Sequence, residues 1–304
     1  MRQHIATSIP SVDVGEPSWG TARKAVFRFI LILLVVAMTV VFWKLNVFPV
    51  LAWLPEDVLE RLYASQLEFD NVEGAFTPHI IHYLALSASH VMVLFGLALQ
   101  LRRPWTKTAP IWQASGGLIL SVLTLPFAIF SVGTEALLLP VLVVIALIIT
   151  TAVFHPSTPI RQLPTPADRL MTGLWVAALI PAAFLTVSQL QLELAGVAAD
   201  PHQQGLHYNI MAEYGLHVML VGLLGASALS GWRYSAWSAT FMVGLLGAGF
   251  IVYPDHPGSQ GVPWGIAMVI WAALYLVAAE TRHRRNRVTP HATIQHAGGS
   301  SVGM

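Results

Sequence analysis

Eight stretches of this chain are apolar enough, and long enough, to cross a lipid bilayer, and this constrains the fold more than any other feature. A spanning helix needs about 20 mainly apolar residues. In hydrocarbon, only helices and closed barrels satisfy their own backbone polar groups. The stretches run from Ala25 to Phe48, Ile80 to Leu101, Ile111 to Val132, Ala136 to Phe154, Met171 to Leu192, Tyr208 to Leu229, Trp237 to Val252 and Trp264 to Ala279. Composition points the same way. Of 304 residues, 55% are apolar and 10% charged, whereas a soluble domain carries roughly a quarter charged residues. That leaves too little polar surface for a water-exposed globule and too much apolar surface for a disordered chain. A net charge of +1 argues against nucleic acid as a partner. With no cysteine, disulfides and thiolate metal sites are excluded. The expected fold is all-α: a polytopic membrane protein with the lipid bilayer as its main partner and other membrane proteins as further candidates.

The charges set an expected orientation. Arg23, Lys24 and Arg28 open the first span, and Arg102, Arg103 and Lys107 follow the second. Arg161 and Arg169 follow the fourth, Arg233 the sixth, and Arg282, Arg284, Arg285 and Arg287 the eighth. With eight spans all of these fall on one side, which the positive-inside rule makes cytoplasmic. The opposite loops carry acids, among them Glu56, Asp57, Glu60, Asp70, Glu135 and Asp255. The expectation is a bacterial-type inner-membrane protein with both termini in the cytoplasm. Residues 1–23 form a tail, 24–155 a first four-helix unit, 156–168 a proline-rich linker, 169–281 a second unit, and 282–304 a second tail. The segment from Glu56 to Phe69 has the spacing of an amphipathic surface helix.

The two units resemble each other. His82-Tyr83 is followed by His90-Val91-Met92, and His207-Tyr208 by His217-Val218-Met219. Trp112 and Trp237 continue the match, and the offset between copies is 125 to 127 residues. Four spans per copy is an even number, so the copies are expected to be parallel repeats about an axis along the membrane normal.

Titratable residues gather toward the acidic side. His79, His82 and His207 fall near the surface there, His90 and His217 lie deeper, and Glu213 sits one helical turn before His217. Glu213 and His217, four apart, share a helix face. His82 and His90 are separated by a rise of about 12 Å, so one metal cannot take both, and a shared ion needs ligands from different helices. His90 and His217 are the expected ligands for a cofactor, with His79, His82, His207 and Glu213 as further metal-ligand candidates. Imidazole suits zinc, copper and iron. It also titrates near neutrality, so the same set suits proton relay. As neutral groups these side chains also serve as interhelical glue.

Eight spans in two four-helix halves, with histidines on spans two and six, resembles the haem A synthase arrangement. One expectation is therefore haem or a copper-type ion in an outward-open cavity between spans two and six, with His90 and His217 as ligands. The family also uses histidines on spans four and eight; here Glu135 precedes the fourth span and His256 lies in the loop before the eighth. The segment Phe76-Thr77-Pro78-His79-Ile80-Ile81 is similar to part of the third subunit of copper membrane monooxygenases. The whole pattern, with Asp200-Pro201-His202, also looks like multi-pass bacterial membrane proteins, a resemblance that carries no activity. Three readings follow from the sequence: a haem or copper-type redox protein, a proton-coupled transporter, and a structural or assembly subunit.

Overall fold

The computed structural model describes residues 20–51, 80–102, 106–132, 145, 163–195, 207–255 and 258–297. Seven helices are assigned there, with no β-strand among the described residues. They are α1 (Thr21–Leu51), α2 (Ile80–Leu99), α3 (Thr108–Val132), α4 (Arg169–Leu194), α5 (His207–Ala226), α6 (Trp232–Val252) and α7 (Val262–Ala297). Five of them, α2, α4, α5, α6 and α7, are long and apolar enough to cross a membrane. The fourth expected span and the amphipathic segment after the first lie outside the described residues.

Local chemistry sets the helix ends. Asp168 caps α4 by accepting the Met171 N–H at 3.0 Å, which satisfies one donor of the first turn. Gly231 precedes α6 with φ 78°, a left-handed conformation that glycine adopts without penalty. Two expected ends move. The last helix continues past Ala279 to Ala297, so part of the expected polar tail is helical. The span expected from Trp237 begins at Trp232, because Arg233 is neutralised by a bidentate pair with Glu280 at 2.9 and 2.7 Å.

Four helices make the centre. α2 packs on α3, α5 on α6, α3 on α5 and α2 on α6. Outside them α1 covers α2, α4 covers α5, and α7 covers α6. Each central interface has a glycine where the helices approach. A Cβ on Gly96 would lie 2.7 Å from the Pro110 carbonyl oxygen, and one on Gly225 would lie 2.9 Å from the Ala236 Cα. Gly116 and Gly249 would put theirs 2.9 Å from Leu220 and 2.6 Å from Leu84. Small residues permit such contact where lipid supplies no hydrophobic drive for helix association.

Polarity is arranged from the inside out. Ile180 and Phe184 of α4 are each 72% exposed, while Gln113 and His217 are fully buried. Water would penalise that surface; hydrocarbon does not. At the centre Gln113 of α3 donates to the Ser238 hydroxyl of α6 at 2.8 Å and to the Met92 carbonyl of α2 at 2.7 Å. The basic residues collect at one end. Lys107 donates to the Leu99 carbonyl at 2.7 Å, Thr108 and Ser230 join the α2–α3 and α5–α6 connections, and Arg285 pairs with Asp168 at 3.3 Å. At the far end, His82 lies beneath Gly258 of the α6–α7 connection.

The packing makes a direct prediction. Gly96→Val should lower the melting temperature in detergent by an amount corresponding to about 1–3 kcal/mol, the usual cost of overpacking. Gly173→Val should be close to neutral, because nothing lies within 4 Å of a Cβ there.

Candidate functional site

A buried polar cluster forms where α2, α3 and α5 meet. Glu213 and His217 stand one turn apart on α5, and His217 Nδ1 lies 3.8 Å from Glu213 Oε1. The His217 side chain is 1% exposed and that of Glu213 14%. Across from them on α3, Gly117 has no side chain, which leaves its carbonyl open to approach. His217 Nε2 lies 2.9 Å from that oxygen. The space beside Gly117 is filled by Val93 and Met92 of α2, which a Cβ would meet at 2.8 and 3.0 Å, with His217 Nε2 at 3.6 Å. Ser121, one turn along α3, donates to Glu213 Oε1 at 2.6 Å and lies 3.1 Å from the same Gly117 carbonyl.

The tautomer of His217 follows from its partner. A carbonyl oxygen only accepts, so Nε2 carries the proton. In the neutral ring Nδ1 is then a bare lone pair, and it has no hydrogen-bond partner among the described residues. It faces a carboxyl group. If Glu213 were ionised beside a neutral ring, two electron-rich groups would face each other in a medium that screens poorly. One added proton removes the conflict, as imidazolium beside carboxylate or as neutral imidazole beside carboxylic acid. Ser121 suits either form. It donates to an ionised Glu213, and it can turn toward Gly117 when Glu213 is the donor.

His90 is on α2. Its Nδ1 lies 2.9 Å from the Leu86 carbonyl of its own helix, so that nitrogen is the donor and Nε2 the acceptor. The structure therefore places Glu213 and His217 side by side, while His90 is tied to the backbone of its own helix. His82 is buried eight residues away on α2, against the α6–α7 connection rather than in the cluster. His79 lies outside the described residues, as does the His207 side chain. Asn209, one turn before Glu213 on α5, is 3% exposed, and its Oδ1 has no partner among the described residues. Asn209, Glu213 and His217 thus form a polar stripe along α5 from its far end toward its middle.

The arrangement fits a haem or metal poorly at His217. Nε2 is engaged by Gly117, Nδ1 faces Glu213, and Val93 and Met92 fill the space beside Gly117. A ligand bond would require the ring to give up the Gly117 carbonyl. Among the described residues, no three His, Asp or Glu side chains are grouped to hold a metal ion.

Three contributors escape sequence reasoning. Ser121 and the Gly117 carbonyl belong to the site only through the register of α3 against α5, which no local motif encodes. Arg282, read from sequence as part of a basic tail, is 7% exposed inside the bundle. It donates to the Gly225 and Ser227 carbonyls at 3.2 and 2.8 Å, and its guanidinium lies 3.9 Å from the centre of the Trp232 ring. It thereby holds the C-terminal end of α5, where a cation also suits the helix dipole. Trp232 is the platform for that contact.

His217→Leu should cost about 1–3 kcal/mol, because the buried α3–α5 hydrogen bond to the Gly117 carbonyl is lost. His217→Gln can still reach it with an amide N–H and should recover part of the loss. Equilibrium unfolding in mixed micelles separates the two. No protein-family model, no curated protein and no solved structure matches this chain.

Proposed function

We propose that this protein is a proton-coupled membrane transporter in which Glu213 and His217 hold the coupling proton, with His90 as its neighbour in the relay. The observation that carries the reading is the fixed tautomer of His217, with Nε2–H on the Gly117 carbonyl and a bare Nδ1 turned to a carboxyl group. An ionisable pair inside a span is expensive and is kept where protons or ions move. Here the pair sits on the contact between α3 and α5. A change of its charge therefore acts directly on how those helices fit together.

The alternating-access form of the reading uses the repeat. The two-copy scheme pairs α2 and α3 with α5 and α6, in a chain of eight spans with both termini cytoplasmic in a bacterial-type inner membrane. It is supported by the matching neighbours of the two helix pairs and by the Gln113–Ser238 bond, which joins positions 125 residues apart. In that scheme the dyad lies between the halves, where one half rocks against the other. The Asn209–Glu213–His217 stripe is the route by which protons reach it from the far end.

The test uses proteoliposomes with an imposed pH gradient and a panel of small ionic and polar solutes. The wild type is expected to move at least one solute in proportion to the gradient. Glu213→Gln should abolish the pH dependence, and Ser121→Ala should weaken it. Full pH-dependent flux in Glu213→Gln would falsify the assignment. A haem or transition-metal centre is the competing reading. A stoichiometric metal or a Soret band in protein purified without chelator would favour it instead.

A further inference from the structure

A cavity of about 340 Å³ lies in the second half of the chain, walled by α4, α5, α6 and α7 and separate from the Glu213–His217 cluster. Its lining is almost wholly apolar, with Pro181 and Phe184 on α4, Tyr214 on α5, Phe250 on α6, and Trp264 and Trp271 on α7. The outer walls, α4 and α7, touch each other only sparsely, although each packs closely on the helix beneath it. The gap between them faces the bilayer, since Ile180 and Phe184 beside it are 72% exposed. Toward the basic end the gap is closed. There Trp271 Nε1 donates to the Leu174 carbonyl at 2.8 Å, tying α7 to α4.

Three properties identify the occupant. First, one water needs roughly 10–15 Å³ of such space, so there is room for many, but apolar cavities do not hold water. Left empty, a space of this size would forfeit packing on all its walls. Second, the lining on α4 extends from Ala177 to Ser188. At 1.5 Å per residue this is about 16 Å, close to half the roughly 30 Å hydrocarbon core. That is the depth of one leaflet. Third, the polar end is at the far end of the bundle, where Gln260 lines the mouth and Trp264 is half exposed. Tryptophan and amide groups suit the headgroup level. We infer that the cavity is a binding site for one acyl chain of a phospholipid from the leaflet at the far end of the bundle, entering between α4 and α7.

The probe is a phosphatidylethanolamine with a diazirine on its acyl chain, doped into phosphatidylethanolamine–phosphatidylglycerol vesicles holding the full chain. Label is expected on peptides covering residues 177–188 and 264–271, severalfold above that on the exposed apolar face of α1 at Phe29 and Leu33. Ala178→Trp and, from the opposite wall, Ala267→Trp should each remove most of this label while leaving that on α1 unchanged. Native mass spectrometry of the unmodified protein gives a second measure that needs no variant, with one phospholipid expected to survive delipidation. Cavity labelling no stronger than that of α1, or retention of no lipid, overturns the proposal. So does labelling that persists in a folded filled variant.

Discussion

The hydrogen bond from His217 Nε2 to the Gly117 carbonyl is the contact on which the rest of the site depends. It requires a residue without a side chain at position 117, because a Cβ there would collide with Val93 and Met92. It joins the middle of α5 to α3, across the centre of the bundle. It also chooses the tautomer, and through the tautomer it decides that an unprotonated nitrogen meets Glu213. A structural bond between two helices and a chemically poised pair are thus one arrangement.

The surroundings support that bond from several sides. Gly116 lets Leu220 pack one residue away, which sets the α3–α5 register. Gln113, one turn nearer the basic end of α3, ties α3 to both α2 and α6. Arg282 fixes the C-terminal end of α5 by binding carbonyls that the helix itself leaves without partners. Thr186 of α4 reaches the Ala212 carbonyl at 3.2 Å and holds the outer face of the same helix. Little of this relies on burying apolar surface, since the surrounding lipid is equally apolar. It relies on close backbone approach and on polar groups that find partners inside.

How much was legible in the sequence depends on whether a relation is local. Glu213 and His217 lie four apart on one helix, so their contact followed from helical geometry alone. The apolar stretches located α2, α4 and α5 to within a few residues. The start of α6 was placed five residues late, because Arg233 reads as a break until Glu280 is known to face it. Arg282 reads as one more basic residue of a tail. Only the continuation of α7 shows it reaching back to α5. Ser121 and Gly117 carry no signal of their own, since one is an ordinary apolar-helix serine and the other a packing glycine. The surface histidines were legible as a group by type, but type does not fix position, and His82 stands against the α6–α7 connection instead.

The most direct test of the central claim is the ¹⁵N NMR spectrum of histidine-labelled protein in lipid, with His217 assigned by comparison with His217→Gln. Across the accessible pH range, Nε2 of His217 is predicted to remain protonated and hydrogen-bonded. The Nδ1 resonance should shift when the pair gains its proton, whether Nδ1 binds it or accepts a hydrogen bond from the Glu213 carboxyl, and that shift should disappear in Glu213→Gln. A neutral His217 with its proton on Nδ1 and a bare Nε2 would contradict the account, because the His217–Gly117 hydrogen bond would then be absent and no unprotonated nitrogen would face Glu213.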